Sequence, residues 1–252
     1  MNWPKIVALT KGLVPLVVVL LMWQFVWNGS SVHFPEPSSW WKAIAMLVAS
    51  GAFLPALGAT LSIVVVSLLV ACTCGVLLGL LIGTFAALRE WTSLLLEYLR
   101  AIPPPVVIPI AVLALGYTTT MKVLVIGFAA FWPIMLNTIA GVLQIREITL
   151  DVARAFKLSW FDTMVKIITP AVIPSVLLGL RVALPQALVV TLVVEMFTGE
   201  AGIGSLMIAA QRNFNAPGVF GLLAVMGIFG YCLTASFSLA ERIVVQRWPS
   251  SP

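Results

Sequence analysis

The chain has 252 residues, 61% of them hydrophobic and 9% charged, with a mean hydropathy of +1.11. Soluble domains carry roughly a quarter charged residues, so the composition excludes a soluble fold and points to a single all-α bundle of about six membrane spans. The formal charge of +5 would suit nucleic acid in a soluble chain; in a membrane protein it marks cytoplasmic loops and implies no such partner.

Lys5 and Lys11 precede the apolar run Leu13 to Trp27. This resembles a signal peptide, but no small-x-small site follows in "WNGSSVHF", so an uncleaved first span over about 12–28 is expected. A polar stretch with Pro35 and Pro37 leads to a short segment ending at Gly51. The second span is expected over about 56–88, with Gly75, Gly79 and Gly83 at a four-residue repeat extended by Ala71 and Ala87. Such a ridge of small residues lets a neighbouring helix backbone approach closely.

A third span over about 94–116 is interrupted by "IPPPVVIP", whose prolines at 103, 104, 105 and 109 remove backbone donors. Lipid-facing backbone does not tolerate that loss, which places this helix against protein or a water-filled path. The fourth span is read over about 121–143, the fifth over about 170–197 and the sixth over about 217–243, the fourth and fifth carrying internal prolines. The three cysteines, all within apolar spans, read as small packing residues; with His33 the one histidine, no metal set is offered.

With the N-terminus inside, the cytoplasmic group holds Lys5, Lys11, Arg89, Arg100, Arg146, Arg154, Lys157, Lys166, Arg242 and Arg247. The outer loops hold Lys42, Lys122 and Arg212. That asymmetry predicts cytoplasmic termini and a cytoplasmic segment over about 147–169. Taken as one helix, that segment places Ala153, Phe156, Trp160, Met164 and Ile167 within an arc of about 80°, opposite Asp151, Arg154, Asp162 and Lys166. Phe161 and Val165 break the pattern, which predicts two short helices with a bend. An interfacial anchor is one reading; charges of both signs favour a docking surface for a soluble partner.

At this point the residues resemble the EAA motif of bacterial ABC importer permeases: E-A-A, three residues, G, nine residues, I-x-L-P. Asp151, Val152 and Ala153 stand at the first three positions, Lys157 at the Gly, Ile167 at the Ile and Pro170 at the Pro. Glu has become Asp, the first Ala Val, the Gly Lys and the Leu Thr169. The flanks "LRAIPPPVVIPIAVLALG", "FWPIMLNTIAGV", "PAVIPSVLLGLRVAL" and "VVEMFTGEAGIGSLMIAAQRNFNAPGVF" follow the order of the nitrate/sulfonate/taurine-type branch, which also transports bicarbonate and vitamin precursors.

The resemblance implies a type I importer permease fold in the bacterial inner membrane, with a coupling helix between spans four and five. It implies a second permease, identical or related, two cytoplasmic ATPase subunits that bind ATP and Mg, and an extracytoplasmic substrate-binding protein. Asp151, Val152, Ala153, Phe156, Lys157, Trp160, Ile167 and Pro170 become the ATPase-coupling candidates. The chain has no GxxxxGK[ST] phosphate loop, so no cofactor is expected on it and it is expected to be non-catalytic. At Lys157 two accounts stay open: a side chain that reaches solvent or an ATPase carboxylate, or an asymmetric core with a more standard second permease.

Arg181 and Glu195 are the ionisable residues well inside the fifth span, and burying either in lipid is costly. With Arg100, Pro103 and Pro104 they are the pathway candidates. Arg181 either compensates an anionic solute or pairs with another helix. Gly202, Gly204, Arg212 and Asn213 belong to a Gly-rich entry and short helix expected at the outer gate or binding-protein side. A secondary transporter or channel is the rival reading. A membrane-embedded enzyme is the third, and the sequence offers no catalytic set for it.

Overall fold

The computed structural model describes residues 3–26 and 33–246; Trp27 and Asn28 of the expected first span, and Arg247, lie outside them. Eleven α-helices follow in order: α1 Trp3–Val26, α2 Pro37–Ala49, α3 Phe53–Thr84, α4 Ala86–Arg100, α5 Pro104–Leu115, α6 Thr119–Leu143, α7 Glu147–Ala155, α8 Trp160–Thr163, α9 Thr169–Thr198, α10 Ile203–Arg212 and α11 Ala216–Gln246. A π-helical turn, Met164–Ile168, joins α8 to α9. Among the described residues, four helical stretches are long and apolar enough to cross a membrane, and five if the bent pair α4 and α5 counts as one. The fourth, fifth and sixth expected spans fall on α6, α9 and α11.

The core is built on α6, which packs along α3 on one side and α9 on the other. The small-residue ridge of α3 explains the first contact. A Cβ at Gly79 would stand 2.6 Å from the Thr138 Cβ and 2.9 Å from the Met135 carbonyl oxygen. Only glycine lets the two backbones approach that closely. Trp23 of α1 meets Trp40 of α2 edge-on at 5.2 Å and Phe220 of α11 at 5.5 Å, fastening the first two helices to the last.

The expected second and third spans are partitioned differently. α3 ends at Thr84, and Phe85 is extended (φ −99°, ψ 106°) before α4 begins. α4 is amphipathic rather than spanning: Trp91, Leu94 and Tyr98 are exposed, while Leu88, Leu96 and Leu99 pack on Trp132 and Ile82. It meets α5 at 89°. Pro103 is the N-cap of α5 and Pro104 begins it, where a missing N–H costs nothing. Of the four prolines only Pro109 lies inside a helix. The triplet therefore sets the corner between the two helices of the bent pair. Of the cysteines, Cys72 is half-buried and packs against the core, while Cys74 and Cys232 are exposed on this chain.

Candidate functional site

Two groups of residues, at opposite ends of the α3–α6–α9 core, gather sequence candidates with polar side chains from several elements. The first surrounds the α9–α10 junction. α9 stops at Gly199, whose φ of 65° lies in the left-handed region that glycine adopts without strain. The chain then turns back into the bundle, and Ile203, Gly204 and Met207 of α10 are buried.

A buried helix start leaves backbone N–H groups without partners unless side chains supply them. Here two other helices do so. The Gly204 N–H donates to Glu195 Oε2 at 2.8 Å, and the Ile203 N–H donates to Thr60 Oγ1 at 2.9 Å. The Thr60 hydroxyl donates in turn to the Glu195 carboxylate at 2.9 Å. Thr60 is 0% and Glu195 1% exposed. The result is a tertiary cap: α3 and α9 jointly close the N-terminus of α10, and the positive end of that helix faces a carboxylate.

Space dictates the glycines. The backbone of Gly202 is extended (φ 160°, ψ 172°), but a Cβ there would overlap the Glu195 carboxylate. A Cβ on Gly204 would meet the Leu192 carbonyl oxygen. Thus Glu195, Gly202 and Gly204, separate candidates in the sequence, meet in one cluster. Arg212 and Asn213 lie apart, exposed at the far end of α10.

Beside this cap, Lys122 Nζ pairs with Glu200 Oε2 at 2.5 Å, with the lysine side chain 10% exposed. Lys122, Glu195 and Glu200 line one cavity of about 390 Å³ with Thr119 and Ser62. Thr60, Lys122 and Glu200 were not among the sequence candidates. Lys122 did carry a signal: a lysine in the first turn of a helix opposes the helix dipole and needs a reason to be there.

The second group is the segment between α6 and α9. α7 ends in a Schellman motif: the Lys157 N–H donates to the Arg154 carbonyl at 2.9 Å and the Leu158 N–H to the Ala153 carbonyl at 3.1 Å. That motif puts residue 157 in the left-handed region, and Lys157 has φ 51°. The glycine of the EAA pattern corresponds to this position, so the geometry that favours glycine is kept while the residue is not. Lys157→Gly should therefore stabilise the turn by about 1 kcal/mol and Lys157→Val destabilise it further. Hydrogen exchange over 153–158 measures both; slower exchange in the valine variant would refute the account.

Ser159 caps α8, accepting the Asp162 N–H at 3.1 Å. The π turn follows from Pro170, which cannot donate to the Lys166 carbonyl and whose ring would crowd it. The Thr169 N–H instead reaches back to Met164. An extra residue in the turn shifts the register, so Ile168 is buried (5% exposed) and Ile167 is half-buried. Ala153 is buried too, facing Thr84, Met164 and Ile168 across a groove of about 200 Å³. A neighbouring face of α7, continued by its C-cap, presents Ile148, Val152 and Phe156 at four-residue spacing, all exposed, with Trp160 and Phe161 beyond. Asp151–Arg154 and Asp162–Lys166 ion pairs flank it. Trp160 stacks on Phe85 at the α3–α4 break, with ring centroids 6.3 Å apart.

The remaining candidates are scattered. Arg100 is exposed in the last turn of α4. Arg181 Nη1 lies 3.9 Å from Glu241 Oε2 of α11, a loose interhelical pair.

Helix order, the bent pair and a buried, side-chain-capped α10 define an all-helical, multi-pass membrane permease with the type I ABC importer fold. The model of the family described as "Binding-protein-dependent transport system inner membrane component" matches residues 75–249, and the chain belongs to that family. It is a family of permeases, not catalysts. The chain is 26% identical over 244 residues to a putative aliphatic sulfonates transport permease of Bacillus subtilis, covering 96% of this chain and 88% of the relative. It is 32% identical to a nitrate import permease of Leptolyngbya laminosa, over 75% of this chain and 68% of the relative. A bicarbonate transport system permease of Synechocystis is 27% identical, over 89% and 85%. A crystal structure of an amino acid ABC transporter with histidines superposes with a TM-score of 0.61 at 19% identity, over 81% of this chain and 97% of that one, a likeness of fold.

Proposed function

We propose that this chain is the transmembrane subunit of an ATP-driven importer that receives a small anion, such as a sulfonate, nitrate or bicarbonate, from an extracytoplasmic binding protein. Two such subunits, or this chain and a related permease, form the core. The exposed stripe Ile148, Val152 and Phe156 carries the reading: an apolar face between ion pairs, on an element too short to span, fits a groove on a soluble partner. That partner is an ATPase pair, which binds ATP and Mg. Asp151, Ala153, Lys157, Ile167 and Pro170 shape and position the stripe, and Trp160 joins the segment to Phe85 at the α3–α4 break.

This end is then cytoplasmic, as are both termini, and the α9–α10 end faces outward in a bacterial inner membrane. Arg100, Pro103, Pro104, Arg181 and Glu195 border the solute route, and Gly202, Gly204, Arg212 and Asn213 form its outer gate and binding-protein side. The test is ATP hydrolysis and uptake in proteoliposomes holding this chain with its ATPase and a loaded binding protein. Uptake that persists without the ATPase would replace this reading with a secondary transporter or channel. A purified complex with two copies of this chain would exclude the asymmetric core.

A further inference from the structure

Lys122 is 8% exposed, in the first turn of α6, a helix whose N-terminus is itself positive. A buried lysine beside that dipole is stable only next to anions. Two carboxylates face it across the cavity, and they differ. Glu195 is committed to the α10 cap through Thr60 and the Gly204 N–H. Glu200 belongs to the short connection between Gly199 and α10, is 37% exposed at its side chain, and contacts Lys122 through one oxygen. Glu195 is fixed; the Glu200 backbone N–H donates to Thr198 Oγ1 at 3.4 Å, while its side chain is held by the single ion pair to Lys122.

The charges around the cavity follow from this. The N-termini of α6 and α10 each contribute about half a positive charge, the C-terminus of α9 about half a negative one, and Lys122 a full positive one. With Glu200 inside, the two carboxylates slightly outweigh the positive set. With Glu200 swung out, the balance turns positive, and Lys122 is left without its direct partner beside a cavity of about 390 Å³. We propose that Lys122 is an anion-binding residue of the solute route, and that Glu200 is a resident carboxylate holding the place of a monovalent oxyanion. Nitrate, bicarbonate and a sulfonate offer the same feature as the carboxylate, negative oxygens at hydrogen-bond distance from an ammonium group. The solute displaces Glu200, and Glu200 returns when the solute moves on. This rests on the anion-import reading above.

The test uses the full chain assembled with its partners, with Cys72, Cys74 and Cys232 replaced by alanine and Glu200→Cys introduced. The thiol is labelled with a sulfonatoethyl or an ammonioethyl methanethiosulfonate. The sulfonate reagent is expected to react about tenfold faster, relative to free thiol, because the cavity now holds an uncompensated lysine. Ethanesulfonate or nitrate should slow it. Adding Lys122→Gln removes the second charge of the pair, leaves no orphan charge to unfold the site, and should abolish both preference and protection; Lys122→Arg should keep them. Equal preference with lysine and glutamine, or no protection by ethanesulfonate, nitrate or bicarbonate, overturns the proposal. ATP-driven uptake is measured separately. Charge selectivity without ATP dependence would sink the importer reading and leave the site standing; ATP-driven uptake without selectivity does the reverse.

Discussion

Glu195→Ala is expected to lower the stability of the α9–α10 end by about 3 kcal/mol, read as a lower melting temperature and faster hydrogen exchange over 202–212. The figure follows from what is stranded. The Gly204 N–H and the Thr60 hydroxyl, both on buried residues, lose their acceptor, and each buried unsatisfied group costs about 1–3 kcal/mol. Glu195→Gln should be far milder. Its carbonyl can accept from Gly204, and its amide can donate to the free lone pair of Thr60 Oγ1, which still accepts from Ile203.

A second substitution makes this account discriminating. In the wild-type background Gly202→Ala places a methyl group on the Glu195 carboxylate and should cost about as much as Glu195→Ala. With Glu195 already alanine, the obstructing carboxylate is gone, so Gly202→Ala should add little. Residues that act through one another are non-additive in this way. Simple additivity of the two losses would show that Gly202 and Glu195 act independently, and the cap would not be what holds α10.

How much of this was legible beforehand depends on the range of the interaction. The Gly75–Gly79–Gly83 ridge announced a close helix contact because a single helix face carries its whole signal. Pro103 and Pro104 announced an interruption, but not that it lies at a helix start, since that depends on α4 ending at Arg100. The amphipathic face of α4 was divided between two expected spans and so went unread. The cap of α10 was out of reach altogether. Thr60 and Glu195 are separated by 135 positions, and no local period relates a threonine at the start of one span to a glutamate at the end of another. Near Pro170 the local rule was present yet incomplete. A helix wheel assumes a constant turn, and the π turn replaced Ile167 with Ile168 on the buried side. Lys157 shows the converse: the motif's glycine marked a backbone geometry, and the geometry persists at φ 51° without the glycine.

Trp160→Ala is expected to uncouple ATP hydrolysis from uptake while the ATPase still co-purifies. The exposed stripe on α7 would remain to hold the partner, because Ile148, Val152 and Phe156 do not depend on Trp160. What is lost is the contact upward. Trp160 lies nearly parallel to Phe85, with an interplanar angle of 24°, and Phe85 is the single extended residue between α3 and α4. A displacement of α8 therefore acts on the junction where the chain is released from one helix and enters the next. On the other side, the π turn connects α8 directly to α9, and such turns are frequent at functional sites. The ring pair is worth about 1 kcal/mol beyond its buried area, which is about a fivefold shift in any equilibrium it biases. Phe85→Ala should therefore lower the ratio of uptake to ATP hydrolysis about as much as Trp160→Ala, and the double variant no further than either alone. A conservative Trp160→Phe should restore most of the ratio. If the double variant loses the product of the two single effects, the rings do not work as a pair, and α9 alone would carry a movement of α7 and α8 into the bundle.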